Sequence, residues 1–551
     1  MMTESVYENS KQIPIRSPIL RWVGILLFLP ALWLGLRTLV IPSIATGILS
    51  FQRYEMLTPP QFVGWENYVK LFTNDSTFAA ALRFTGNLVL WRVAAVAVAP
   101  WLLAWSLSDA RRSLRIGVRL LFTLPLALIA PLPLLINWNL AVRPWLGKTD
   151  VTWLVLSAID GLISFVIACG VGLILFGAVL RKSEAERSNV VPGVLVGWFC
   201  CVLVAIALAL QSMIPSLVVT NGGPQYTTFT LGLWHYLNAF QYFRFGYAAT
   251  VSTLLLVTVG LLGMIATIAL IVSNLRITIT VKEQPAAAAY TESWGAHILL
   301  FSLVLVAFAI CLIAVLPLLQ GLLRSDGGSE AATLEVSSLR LWINTLTPSF
   351  MSMVIQLTVS TLAAFGIGAL RPFGRRSEWL LLLFSPWLFT TVLPLSQAFF
   401  EQRRQWGLLN TLSGAIHPIL VNVPILFLLT LFYKGCEQRY RENQIGHDQA
   451  AGRTLTFFSA VLLPSLPLVL LAGSVLWLIM LQDLYWPVLA SSAIENFSWS
   501  QMLYRQQGND FANITSSIRA FQLPLSGITV LVLGVYQLFF LDRLTATTAH
   551  R

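Results

Sequence analysis

The sequence predicts an all-α membrane protein of about twelve transmembrane helices. Two observations carry that fold class and a third orients it. Apolar residues fill 56% of the chain against 11% charged, and they gather in runs of about twenty or more, the length a helix needs to cross a bilayer. Strict apolar–polar alternation, the mark of an outer-membrane barrel, is absent from those runs. Lys and Arg cluster between alternate spans, at 11–21, 111–119, 181–187, 276–282, 371–376 and 434–453. With about 21 basic residues on that side and about 12 on the other, the positive-inside rule puts both termini in the cytoplasm. The net charge of +11 is therefore mainly a topology signal. No basic folded face or recognised module points to nucleic acid as a partner.

Taken in order, the first span, 19–47, follows about fifteen polar residues and lacks a small-residue cleavage site, which makes it a retained anchor rather than a signal peptide. Spans near 84–107, 116–139, 153–180, 191–214 and 246–273 complete a first set of six, with Pro125, Pro131 and Pro133 marking the third for a kink. The stretch 278–293 (TITVKEQPAAAAYTES) holds polar residues, a proline and an alanine run without an apolar period, so it reads as a cytoplasmic linker. Spans near 296–323, 341–370, 378–399, 415–435, 456–482 and 521–541 form a second six. An even number of spans returns each set to the cytoplasm. The chain thus divides into a first half, 1–277, the linker, 278–293, and a second half, 294–551. The halves share one spacing: Pro192 and Pro464 each open a long apolar span that meets a polar residue nineteen positions later, Gln211 and Asp483.

Chemistry-bearing residues are few. Cys169, Cys200, Cys201, Cys311 and Cys436 lie in or beside apolar spans without metal-ligand spacing and read as small buried hydrophobes. His235 and His417 have no second ligand at metal spacing, so no metal is expected. Gly147-Lys148-Thr149 copies the end of a phosphate-binding loop, but Val142 stands where that loop needs another glycine. Polar residues inside a membrane are costly and tend to face a cavity or a neighbouring helix. The candidates for a substrate path are Asn137, Trp138, Asn139, Asp160, Gln211, Asn422, Gln482 and Asp483. Trp138 between two asparagines offers the aromatic face and planar polar groups that sugar recognition uses; interhelical hydrogen bonding is the competing reading for each residue. Arg37 and Arg92 either snorkel or pair.

Several segments carry a family resemblance. The stretch FVGWENYVKLF at 62–72 and the block 221–252 hold Gly222-Gly223-Pro224, Thr230-Leu231, Tyr236, Ala239-Phe240 and Phe245-Gly246-Tyr247-Ala248-Ala249 at fixed spacing. They resemble the larger permease subunit of maltose-type and glycerol-phosphate-type ABC importers. The second half, through LAAFGIGALRPFGRR at 362–376, WGLLNT at 406–411, the loop ending at Pro464 and LQDLYWPVL at 481–489, resembles the partner subunit. The chain therefore looks like a fused carbohydrate-type importer permease, and the resemblance implies two six-helix type-1 permease bundles.

The family couples to its ATPase through a cytoplasmic loop of pattern Glu-Ala-Ala, three residues, Gly, then a run to Leu-Pro. In the second half, counting back from Pro464 with Phe458 in register places Ala451 at the glycine position and Ile445-Gly446-His447 at Glu-Ala-Ala; a one-residue slip restores Gly452. Asp448, Ala451, Gly452, Arg453, Phe458 and Pro464 are the residues assigned to this recognisable but degenerate loop. The first-half loop at 181–189 is about fourteen residues shorter than the pattern, a loss of some 20 Å of helix. Glu184-Ala185-Glu186 lacks the following glycine and reads as a charged turn. The resemblance further implies separate ATPase subunits that use the ATP, with no cofactor and no catalytic residue in this chain. It implies an extracytoplasmic solute-binding protein that delivers a sugar, and a multi-pass location in a bacterial cytoplasmic membrane. A permease-fold scaffold or sensor without ATP coupling and a secondary transporter are the alternatives. The latter needs an ion or proton site, for which Asp160 is the one deeply placed carboxylate.

Overall fold

The computed structural model describes residues 18–55, 58–107, 112–129, 131–175, 184–279, 294–323, 336–447, 457–509, 511–540 and 544–548. Among them the structure is almost wholly helical. Helix α1 (Ile19–Ser50) leads to a hairpin of β1 (Gln52–Glu55) and β2 (Thr58–Phe62) and a short α2 (Glu66–Thr73). Next come α3 (Ser76–Ser106), α4 (Arg112–Ala127), α5 (Pro131–Val142), α6 (Thr149–Leu175) and α7 (Glu184–Leu210), then a short α8 (Leu231–Tyr236), α9 (Phe245–Val272) and β3 (Leu275–Ile279). After the linker come α10 (Trp294–Leu323), α11 (Ser338–Phe365), α12 (Ser396–Gln405), α13 (Val423–His447), α14 (Phe457–Leu481), α15 (Tyr485–Ala490), α16 (Trp499–Asn509), α17 (Phe511–Phe539) and β4 (Leu544–Thr548).

Side chains start these helices where the backbone would otherwise leave N–H groups unpaired. Asp75 Oδ1 accepts from the Thr77 and Phe78 amides, both at 2.9 Å, at the head of α3. Thr230 caps α8 at 3.2 Å, and Asn422 Oδ1 accepts from the Ile425 amide at 3.0 Å to open α13, whose Pro424 sits in the first turn where no N–H is missed.

Nine helices among the described residues are long and apolar enough to cross a bilayer, and the Ser113–Ala127 and Pro131–Trp145 pair makes a tenth, bent by 74°. The bend falls where the expected kink of the third span lies: Pro131 begins a new helix instead of continuing the old one. The two remaining predicted spans differ from expectation. Residues 378–399 form no continuous α-helix. They run through 3₁₀ segments Gly374–Leu383, Ser385–Trp387 and Leu393–Leu395 into α12, with Pro386 and Pro394 in the second and third removing donors an α-helix would use. Span 415–435 becomes α13, which begins only at Val423 and carries Lys434, Glu437, Arg439 and Arg441 in its second half, so its apolar stretch is short. Helix α7 begins at Glu184, so 184–189 is helical rather than a turn, and Pro192, like Pro464 in α14, lies inside its helix.

The first helix of each half packs on the other half. Helix α1 lies against α11, the π-turn Gly366–Leu370 that ends it, and α12, while α10 lies against α3, α4, α5 and α6. Helix α17 also packs on α4, and α9 on the Ser385–Trp387 turn. The largest core cluster accordingly draws on both halves, uniting Phe28, Trp234, Tyr247 and Val251 with Phe365, Phe399, Tyr433 and Trp486. The linker begins as structure: Thr278 and Ile279 belong to β3, which pairs antiparallel with β4 in the register Leu275↔Thr548 to Ile279↔Leu544. Residues 280–293 lie outside the described residues. The ribbon packs through β3 on α13 and through β4 on α7. Gly435 makes this seat, because a Cβ there would overlap the Ile277 carbonyl oxygen.

Candidate substrate path and coupling surface

The polar residues expected to line a substrate path are brought to helix contacts at several places rather than to one cavity. Asn137 donates to the Pro133 carbonyl at 2.8 Å, one turn back. Trp138 Nε1 donates to the Ala314 carbonyl of α10 at 2.8 Å, and Asn139 Nδ2 donates to the Val218 and Val219 carbonyls at 2.7 and 3.2 Å. The three neighbours in sequence thus hold three different pieces of backbone. Asp160 on α6 accepts from both Arg92 Nε (2.8 Å) and Nη2 (2.7 Å) on α3, and Nη2 also donates to Ser212 Oγ at 3.0 Å. This bidentate pair neutralises both charges inside the bundle. Arg37 lies over the Trp33 ring at 4.9 Å.

Gln211, one residue beyond α7, joins the halves. Its Nε2 donates to the Ala207 and Phe389 carbonyls, both at 2.9 Å, and its Oε1 accepts from the Thr391 amide (2.8 Å) and hydroxyl (2.9 Å). Asn422 Nδ2 donates to Gln356 Oε1 at 3.1 Å besides capping α13. Gln482 Nε2 turns back to the Leu478 carbonyl at 3.0 Å, and Asp483 Oδ1 accepts from the Tyr485 amide at 3.1 Å. Asp483 also lines a cavity of about 30 Å³ with Asn344, Ser349, Ser352, His417 and Gln501. That is room for water, not for a sugar ring.

A second polar seam crosses between the halves, and no motif in the sequence announces it. His235 of α8 is fully buried, with Nε2 3.1 Å from Ser396 Oγ and Nδ1 2.9 Å from Ser252 Oγ. Ser396 spends its single proton on the Leu393 carbonyl at 2.7 Å, so Nε2–H of His235 is the donor to Ser396, while Nδ1 lies between Ser252 Oγ and the Ala248 carbonyl, 3.3 Å away. Tyr485 donates to the same Ser396 oxygen at 2.8 Å. Beside it Gln397 Nε2 donates to the Phe245 carbonyl at 2.9 Å. Each of these partners lies more than 80 residues from Ser396 or Gln397 in sequence, beyond the reach of local pattern.

Of the coupling-loop residues, Asp448, Ala451, Gly452 and Arg453 lie outside the described residues, Phe458 falls in the first turn of α14, and Pro464 lies inside that helix. The ground beneath the loop is described. Arg371 pairs with Glu378 at 2.9 Å and Glu437 at 3.6 Å, Lys434 pairs with Glu378 at 2.6 Å, and Arg441 reaches Glu437 at 2.5 Å. All but Arg441 are largely buried, so the network staples the end of α11 to α13, about three turns before α13 ends at His447. On the opposite face Asp75 accepts from Tyr247 at 2.7 Å and from Thr77 Oγ1 at 2.6 Å. Burial alone would raise its pKa, but these bonds and those from the Phe78 and Thr77 amides outweigh it and hold the carboxyl below 3.8.

No protein-family model matches the chain. A relative among characterised proteins is the "Probable ABC transporter permease protein YesP" of Bacillus subtilis (strain 168), 25% identical over 258 residues that cover 41% of this chain and 83% of YesP. The chain is thus similar to an ABC transporter permease over part of its length. Together with the membrane-helical architecture, this supports an ABC permease, a transport component rather than an enzyme.

Proposed function

We propose that the chain is both membrane subunits of an ATP-driven carbohydrate importer fused into one polypeptide, working by alternating access in a bacterial cytoplasmic membrane. The observation that carries this reading is the match to YesP: 83% of that permease is accounted for by 41% of this chain, which leaves length for a second permease unit. The even number of expected spans on each side of the linker and the reciprocal packing of α1 and α10 fit two such units. In this reading residues 1–277 and 294–551 are the two permease halves. The face carrying β3, β4 and the Arg371 network is cytoplasmic and meets separate ATPase subunits, which use the ATP. A solute-binding protein docks on the face carrying the β1–β2 hairpin. The path residues hold the helices shut in this conformation: Gln211 locks the halves through four hydrogen bonds, three of them to the other half, and the Arg92–Asp160 pair ties α3 to α6 with its two charges neutralised.

The test is reconstitution of the full chain with the ATPase and binding protein encoded beside it, followed by ATP-dependent uptake of radiolabelled neutral sugars into vesicles. ATP-dependent accumulation is expected. Uptake driven by a proton or sodium gradient without ATP would replace this reading with a secondary transporter, and failure of any ATPase to co-purify would leave a scaffold.

A further inference from the structure

The seam around His235 is built from aromatic rings and uncharged hydrogen-bonding groups of both halves. Tyr236 and Phe240 from the first half face Tyr485 and Phe400 from the second, with ring centres 6.2 Å apart for Tyr236–Tyr485 and 5.5 Å for Phe240–Phe400. His235 and Tyr236 each contact Phe240, at 6.2 and 6.1 Å, so the rings form one continuous group about the His235–Ser396–Tyr485 chain. The chain joins hydroxyls to the His235 ring, whose nitrogens meet Ser396 Oγ on one side and Ser252 Oγ with the Ala248 carbonyl on the other.

One group there is left wanting a partner. Gln397 is 4% exposed, and its Oε1 makes no hydrogen bond although its Nε2 is satisfied by Phe245. A buried acceptor without a donor costs about 1–3 kcal/mol, and such groups persist in native proteins where something else uses them. Gln211 differs in having both its oxygen and nitrogen engaged, while Gln482 Oε1 is, like that of Gln397, buried and unbonded. The seam therefore combines ring faces, hydroxyls that can exchange partners and a free planar acceptor, all on the surface where the two halves must part.

We propose that this seam is a binding site for a neutral saccharide, which enters when the halves separate and replaces the cross-half hydrogen bonds with its own hydroxyls. Its C–H faces lie on Tyr236, Phe240, Phe400 and Tyr485, a hydroxyl donates to Gln397 Oε1, and others take the places that Ser396 and His235 now give each other. Among the described residues no Lys or Arg makes these contacts, and the Asp483 carboxylate accepts from the Tyr485 amide, an arrangement that disfavours a phosphorylated sugar. This assignment rests on the importer reading but fails separately from it.

The test uses the full chain in membrane vesicles, with Cys169, Cys200, Cys201, Cys311 and Cys436 changed to Ala and Ser396→Cys as the reporter. Its reaction with a small methanethiosulfonate is followed with and without a panel of maltose, trehalose, sucrose, lactose and raffinose, and with glycerol 3-phosphate as the anionic comparison. Slow but measurable labelling is expected, slowed further by at least one neutral sugar and not by glycerol 3-phosphate. Adding Gln397→Leu should weaken that protection about fivefold, the worth of one hydrogen bond, measured as the ratio of protected to unprotected rate in the same variant. A reporter thiol that never reacts, protection by no sugar, or protection by the phosphate alone would each overturn the assignment. Should Ser396→Cys not reach the membrane, Tyr236→Cys serves as reporter on the other half under the same criteria. ATP-dependent uptake that survives Gln397→Leu with unchanged KM would sink the site and spare the importer, whereas protection without any uptake would do the reverse.

Discussion

Arg92 and Asp160 are safe inside the bundle only as a pair, joined by bonds of 2.8 and 2.7 Å and nearly closed to solvent, with side chains 16% and 4% exposed. Asp160→Asn leaves the guanidinium charged with a weaker partner. Removing one member of a buried pair costs about 3–5 kcal/mol, while replacing both by apolar residues is often neutral. Thermal unfolding in detergent should therefore rank Asp160→Asn well below the Arg92→Met/Asp160→Met double variant; equal midpoints would mean the pair is solvated in practice. Asp75 gives a pH signature. Its folded pKa lies below the unfolded value of 3.8, so its contribution is present above that value and is lost as pH falls through the folded pKa. The stability gap between wild type and Asp75→Asn should narrow as pH falls below about 4, the ordinary carboxylate range. A gap that stays constant would assign the difference to packing. At this scale the sequence could single out Asp160, Gln211 and Asn422 because a polar group among apolar neighbours stands out. It could not say that Asp160 meets Arg92 or that Gln211 meets Thr391, because those contacts depend on how helices distant in sequence are laid together.

Among elements, the long apolar helices were legible because length and composition alone define them, and the bend between α4 and α5 was legible because proline cannot continue the hydrogen-bond ladder. Residues 378–399 misled for the same reason in reverse: they are apolar because protein covers them, not because they form a straight helix. Phe384, Leu388, Leu393, Leu395 and Phe399 are all buried in the shared core. The β3–β4 ribbon was invisible because one strand lies where the first half runs into the linker and the other lies about 270 residues further on, at 544–548. It fixes the bases of α7 and α13, from which the two coupling loops spring in the importer reading. Deleting residues 541–551 should speed amide exchange over the last turns of α13 without changing it in α3 or α6; no change would make the ribbon an ornament. In the importer reading the second loop has the length the resemblance expects and the first does not, so docking should be lopsided. Replacing Ala451-Gly452 with bulky charged residues should abolish ATPase co-purification, whereas a Gly-Ser stretch at 183–188 should matter less. The opposite ranking would reveal a coupling element in the helical start of α7.

The whole molecule is held together by exchange. The first helix of each half reaches across: the early part of α1, up to Gly35, packs on α11 while its later part, Ile41–Ser50, packs mainly on α9 of its own half, and α10 packs on α3, α4, α5 and α6 of the first. The contact of α1 with the end of α11 is close: a Cβ on Gly366 would overlap the Gly24 carbonyl oxygen, and one on Gly24 would press on Leu370 and Pro372. Without a hydrophobic drive between helices in lipid, such close backbone approach is what binds them. Trp138 does the corresponding service for α10 through the Ala314 carbonyl. The covalent linker is then dispensable for assembly, since the contacts that join the halves lie in the helices and at the ribbon. Residues 1–283 and 290–551, expressed together as separate chains, should co-purify from membranes. Gly366→Leu should weaken that association by forcing α1 away, and Trp138→Ala should weaken it from the other side, while each fragment alone should be poorly recovered because it lacks the helix its partner supplies. If the fragments accumulate separately and never associate, the exchanged helices are not what holds this protein together, and the fusion of two permease units loses its structural basis.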